Sequence, residues 1–140
     1  MADTGKIASA IQSKLMADTG AGGVLTLMPD GVWFGVAPPN KTKFVIISLA
    51  SSHDELQFGS RAFEELVYLV KAVEQSTSMT NVKAAAARID ALLNFQPLTA
   101  TGYGNVMPSR SEYVEYPEVD EINPDINWQH CGGLYEVFAA

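Results

Sequence analysis

Phe44-Val45-Ile46-Ile47-Ser48-Leu49-Ala50 is the stretch on which the fold turns. Its β-branched and apolar residues occupy both odd and even positions, so neither side of a strand built from it could face water. The run is expected to be a strand covered on both sides in the middle of a sheet. Pro38-Pro39-Asn40 breaks the chain just before it.

Upstream, two short β-prone runs, Val24 to Met28 and Val32 to Val36, flank the turn-forming tripeptide Pro29-Asp30-Gly31. They are expected to form a hairpin, or a loop with two extended arms. Before them Ile7, Ala8, Ile11, Leu15 and Met16 recur at helical spacing behind Asp3 or Thr4 as N-cap, predicting a helix over Thr4 to Asp18. Gly20, Gly22 and Gly23 stop it, since glycine enters the left-handed region without steric cost. The pentapeptide Met1-Ala2-Asp3-Thr4-Gly5 recurs word for word at Met16 to Gly20. Two copies make no solenoid, and both read as polar punctuation at the helix entry and exit.

Downstream, Phe63 to Glu74 fits two periods. Phe63, Leu66, Val67 and Val70 suit a helix, whereas Tyr68, Val70 and Ala72 alternate with Val67, Leu69 and Val73 as in a buried strand. The next helix is clearer: behind Thr80 or Asn81 as cap, Val82, Ala85, Ala86, Ile89, Leu92 and Leu93 share a face, and the alanines from Ala84 to Ala87 add propensity. Asn94 and Pro97 close it. Tyr103 to Met107, Ser111 to Tyr116 and Gly133 to Phe138 read as strands separated by Pro108, Pro117 and Pro124. This order predicts an α+β fold, an antiparallel or mixed sheet with two main helices on one face. Residues 1–140 are expected to form a single domain, with an acidic, proline-containing excursion at about 117–129.

Apolar residues make up 47% of the chain and charged residues only 18%, too apolar for an extended disordered protein. A free monomer usually coats itself with about 25–35% charged surface residues, so some apolar surface is expected to meet another subunit. A net charge of −7 repels phosphate and disfavours gripping DNA or an anionic membrane. The single cysteine, Cys131, excludes an internal disulfide framework and fits a reducing compartment. The amino-terminal segment lacks the basic and apolar regions of a secretory signal, and Phe44 to Ile47 is far too short to cross a bilayer, which needs ~20 residues. A soluble protein made in the cytoplasm is expected.

His130 and Cys131 are the one place where a base and a nucleophile stand together. Adjacent residues on a strand point to opposite faces, so a catalytic dyad is not expected. One cysteine with the two distant histidines, His53 and His130, does not supply the spacing of a zinc site. Gly20-Ala21-Gly22-Gly23 leaves a helix instead of opening one, so it reads as a helix stop and not as a phosphate cradle. No catalytic residue, cofactor or metal ligand is therefore assigned, and no enzymatic activity is expected.

Glu112, Glu115, Glu118, Asp120, Glu121 and Asp125 form an acidic series with no lysine or arginine among them. The bland reading is a solvated loop. The functional reading is a negative surface that receives a basic partner or lines a passage to which DNA does not stick. The glycine and ligand spacing of a calcium-binding helix-loop-helix are missing. Trp33 and Phe34 before Pro38-Pro39, Tyr113 and Tyr116 on the acidic strand, Trp128 ahead of the final strand, and Arg110 are the candidate contact residues.

Taken as a whole, the chain resembles the tail-completion or tail-terminator proteins of long-tailed bacteriophages. The likeness lies in element order over nearly the full length: the helix Ile7 to Leu15, the Trp33-Phe34-Gly35-Val36-Ala37-Pro38-Pro39 approach to the strand Phe44 to Ala50, Phe63 to Ala72, the helix containing Ala84 to Leu93, and a late Arg110 to Tyr116 strand paired with Tyr135 to Phe138. The resemblance implies that Phe63 to Val73 is a strand in a mixed, mostly antiparallel sheet. It also implies a homo-oligomeric ring, a hexamer, that caps the tail tube and joins it to the head connector or stopper protein, while DNA passes through without specific binding. Such a protein would assemble in the host cytoplasm and end in the virion tail or neck. Other neck and head-completion proteins share this size and building style. A binding module for a small apolar ligand, with aromatics such as Trp33 and Tyr68 around a pocket, is the reading from a different class.

Overall fold

Val45, Ile46 and Ile47 are all buried, and the strand that carries them runs on to Gln57 as one arm of a long hairpin. The computed structural model describes residues 4–57 and 60–140, and the backbone alone for 53–57 and 60–62. Its elements are α1 (Thr4–Met16), α2 (Val24–Leu27), β1 (Val32–Phe34), β2 (Lys43–Gln57), β3 (Ser60–Gln75), α3 (Thr80–Leu93), β4 (Val106–Val119) and β5 (Asn127–Ala139). The strands form one sheet in the order β1-β2-β3-β5-β4. β1 runs parallel to β2, and every other neighbouring pair is antiparallel. The fold is α+β with a mixed, mostly antiparallel sheet, as the sequence predicts.

Alternation sorts the strands into two faces. One row, Val32, Val45, Ala72 and Cys131, points at the helices and is buried throughout. Against it pack Ile7, Ile11 and Leu15 of α1 and Val82, Ala85, Ala86, Ile89 and Leu93 of α3. The adjoining row, Phe44, Val73, His130 and Tyr116, points the other way. Among the described residues no helix lies over it. Gly132 lets β3 and β5 close up at the centre, because a Cβ there would collide with the Val70 carbonyl oxygen. Phe63 to Val73 lies within β3, with Leu66, Tyr68, Val70 and Ala72 buried on one face and Val67 and Leu69 half-buried on the other, so strand alternation and not helical period explains the stretch.

Four local expectations are corrected. Val24 to Met28 is not extended: Val24–Leu27 is helical. The Asp18 carboxylate accepts the Val24 N–H at 2.9 Å, and the Thr26 hydroxyl donates to the Gly20 carbonyl at 2.8 Å, so capping overrides β propensity. Nor do the two early runs form a hairpin. Asp30 accepts the N–H groups of Thr42 and Lys43 at 3.0 and 3.1 Å, and this clamps β1 alongside β2 in parallel.

The cap of α3 is also different. Met79 holds that position, and the Ser78 hydroxyl takes the Thr80 N–H at 3.3 Å while Asn81 turns to Glu74 at 3.1 Å. Finally, Pro108 and Pro117 do not separate strands. Both lie inside β4, which begins at Val106, so Tyr103 falls in the preceding turn. An edge strand tolerates proline because its outward N–H has no ladder partner to lose. Asp3 as a cap, and Met1 to Asp3 of the repeated pentapeptide, lie outside the described residues.

Candidate interaction surfaces

The sheet order puts the two sequence-level contact regions on opposite edges. Trp33 and Phe34 belong to β1 at one edge, and Arg110, Tyr113 and Tyr116 belong to β4 at the other. Phe34 is 47% exposed, beside the first turns of α1 in a depression of about 410 Å³ that includes Ala8, Leu49 and Tyr68. Trp33 is more constrained: its indole N–H donates to the Asp30 carbonyl at 2.7 Å.

On β4, successive side chains divide between the faces. Tyr113 reaches the helix side, where its hydroxyl and the Cys131 thiol lie 2.9 Å apart in a hydrogen bond. That bond and burial push the Tyr113 pKa up to about 12. Burial also pushes the Cys131 thiol up, away from the reactive thiolate. The Arg110 guanidinium sits 5.5 Å from the Tyr113 ring centre and 3.5 Å from Asp90.

Tyr116 reaches the helix-free side and stacks on His130, with ring centres 4.4 Å apart and planes 9° from parallel. Lys71 donates to the Tyr116 hydroxyl at 2.7 Å. His130 Nε2–H donates to Glu118 at 3.3 Å, which leaves the buried Nδ1 as a bare lone pair. Burial, with Lys71 nearby, pushes the His130 pKa down, while Glu118 works against that shift. The neutral ring is the stable form. His130 and Cys131 thus point into different faces with different partners, which is not the geometry of a base poised on a nucleophile. The side chain of His53 lies outside the described residues.

The acidic series does not make one patch. Glu115 pairs with Lys83 of α3 at 3.0 Å, and Glu118 faces His130 on the other side of the sheet. Glu112 is exposed opposite Leu134. Asp120 builds the turn between β4 and β5 by accepting the N–H groups of Ile122 and Asn123 at 2.9 and 3.0 Å. Glu121 and Asp125 are exposed on that turn. Trp128 packs against Phe44 with ring centres 6.1 Å apart, on the helix-free face.

Of these residues Glu118 and Trp128 border an open groove of about 540 Å³ beside the Gly35–Thr42 crossover. Its floor is Phe44, Ile46, Val73, Trp128 and His130, and Lys41 and Lys71 bring positive charge. Sequence reading marks the crossover only as a break before β2, and it assigns no role to Lys71 or Ile122. A lysine in a strand and an isoleucine in a turn carry no motif, and their role comes from the register that sets them beside other residues.

No protein-family model and no curated protein sequence matches the chain. Comparison with solved structures is different. A chain from the virion of a native gene transfer agent particle superposes with a TM-score of 0.68 and 16% identity, over 99% of this chain and 98% of that one. The whole fold is shared with a virion chain. A second solved chain gives a TM-score of 0.64 at 14% identity, over 100% of this chain and 97% of its own length.

Proposed function

We propose that this protein is a structural component of a phage-like virion: a tail terminator or completion protein whose copies form a ring, a hexamer, that caps the tail tube and meets the head connector. The observation that carries the reading is the end-to-end fold match to a gene transfer agent virion chain. It agrees with the resemblance in element order to tail-terminator proteins.

The edges supply a physical rationale. A cyclic ring uses heterologous contacts, in which one face of each subunit meets a different face of the next. Here the exposed Phe34 on β1 and the acidic, tyrosine-bearing β4 are unlike surfaces at opposite ends of one sheet. With a net charge of −7 a ring of such subunits would repel the DNA passing through it. The work of the protein would then be done by contacts and not by chemistry on a covalent bond. Assembly in the host cytoplasm and residence in the virion tail or neck follow from the same reading.

Native mass spectrometry of the purified chain, alone and mixed with a tail-tube protein, tests the proposal. The expected result is a closed ring that joins tube ends. A chain that stays monomeric and never joins a tube would overturn it. Placement at another neck position, as a head-completion protein would occupy, predicts binding to connector rings in place of tubes.

A further inference from the structure

Ile122 is 96% exposed, the most solvent-facing of the large apolar side chains on the described residues. It does not sit on a loose loop. Asp120 accepts from the Ile122 and Asn123 N–H groups, Asn123 accepts from the Asp125 N–H at 3.2 Å, and the turn closes as the Asp120 N–H donates to the Ile126 carbonyl and the Ile126 N–H to the Asn123 carbonyl, each at 3.0 Å. The turn therefore spends its polar groups on holding an isoleucine out in water. Val119, 53% exposed, adds apolar surface at the base of the same turn.

A β-branched side chain on a backbone fixed that way has few rotamers to lose when a partner covers it, which suits a binding anchor. Glu121 precedes it and is exposed. The anchor is thus apolar at its tip and negative at its flank. Its complement would be an apolar depression with positive charge nearby.

The groove on the helix-free face has that character. Its floor is apolar, and Lys41 and Lys71 line it in a chain that holds only nine lysines and arginines. Glu118, its one acidic lining residue, is turned to His130. The exposure of Ile122 shows that it does not fill the groove of its own chain.

We propose that the Ile122 turn of one copy docks into the Lys41–Lys71 groove of a second copy of this chain. This deepens the ring reading above and rests on it. Anchor and groove are different surfaces, so the contact is heterologous and each copy can give one and receive one. Ile122 would cover Phe44 and Trp128, while Glu121 would approach Lys41.

The test uses the full-length protein. Replacing Ile122 by the photo-crosslinking residue p-benzoylphenylalanine should, on irradiation, join the turn to peptides of residues 35–46 or 128–130 of another copy. Ile122→Asp should weaken self-association by roughly 30-fold or more in sedimentation velocity, the scale of losing a central anchor. Lys41→Glu and Glu121→Lys should each weaken it, and the two together should restore most of it. Thermal melts should be unchanged, because both residues lie outside the core. Rings that persist in Ile122→Asp, or cross-links confined to other segments, would overturn this contact and leave the ring reading standing. A wild-type chain that is strictly monomeric would overturn both.

Discussion

Tyr116 lies flat on His130, ring centres 4.4 Å apart, and this one pair joins edge strand β4 to its inner neighbour β5 on the face that no helix covers. Lys71 on β3 reaches the Tyr116 hydroxyl, and Glu118 takes the remaining His130 N–H. The cluster sits beside the apolar side chains of Phe44, Ile46, Val73 and Trp128 on that face.

The His130 ring should give the fold a pH dependence of defined sign. Its pKa is held below the usual histidine value, first by burial and then by Lys71, with Glu118 opposing. A base with a depressed folded pKa binds fewer protons folded than unfolded, so its contribution is complete above the unfolded pKa of about 6.5 and is lost as pH falls through the folded value. Protonation would also create a buried Nδ1–H with no acceptor. Urea unfolding at a series of pH values should show stability falling below about pH 6.5, and His130→Gln should flatten that part of the curve. A slope unchanged by the substitution would contradict the assignment.

Asp18 should matter more than its exposed partner. It caps α2 through Val24 and grips Arg88 of α3 through two bonds of 2.7 and 2.9 Å. The Arg88 bond is the first cause of its lowered pKa. Asp18→Ala should cost about 1 kcal/mol or more, from the lost cap alone. Arg88→Ala should cost less, since an exposed ion pair contributes little. Equal effects in denaturant melts would show that the cap is not the main link.

Gly132→Ala should destabilise the sheet by about 2 kcal/mol, because the methyl group would meet the Val70 carbonyl and the Lys71 Cα, which are backbone and cannot swing aside. Gly133→Ala meets the flexible Arg110 side chain as well as the Glu112 carbonyl, so part of its clash can relax. A smaller loss is expected there. Chemical denaturation of the two variants side by side checks the order.

Much of this fold is written in its apolar spacing. Val82, Ala85, Ile89 and Leu93 announce α3, and Val45, Ile46 and Ile47 announce a strand covered on both sides, although the cover expected for the whole run stops short of Leu49 and Ala50, which are exposed. What the spacing could not carry was long-range. Asp30 clamps β1 parallel to β2 from twelve residues away, and nothing local in Val32 to Phe34 marks that partner. Pro108 and Pro117 read as breaks because sequence does not say which strand will be an edge. For the candidate surfaces the residue types were legible, whereas their distribution was not. Glu115 and Glu118 look alike in the acidic series, yet the pleat of β4, with the two three residues apart, sends one to Lys83 and the other to His130.

Phe34 offers a test of surface against core. It is exposed on edge β1, so Phe34→Glu should leave stability within about 0.5 kcal/mol. Self-association should nevertheless fall, if that edge meets a neighbouring copy. Circular dichroism melts and sedimentation of the same sample separate the two effects.

The most direct measurement is negative-stain imaging of the concentrated, purified chain. The account predicts rings of uniform diameter with a central hole. A field of single globules at every concentration, with no ring even beside tail tubes, would contradict it.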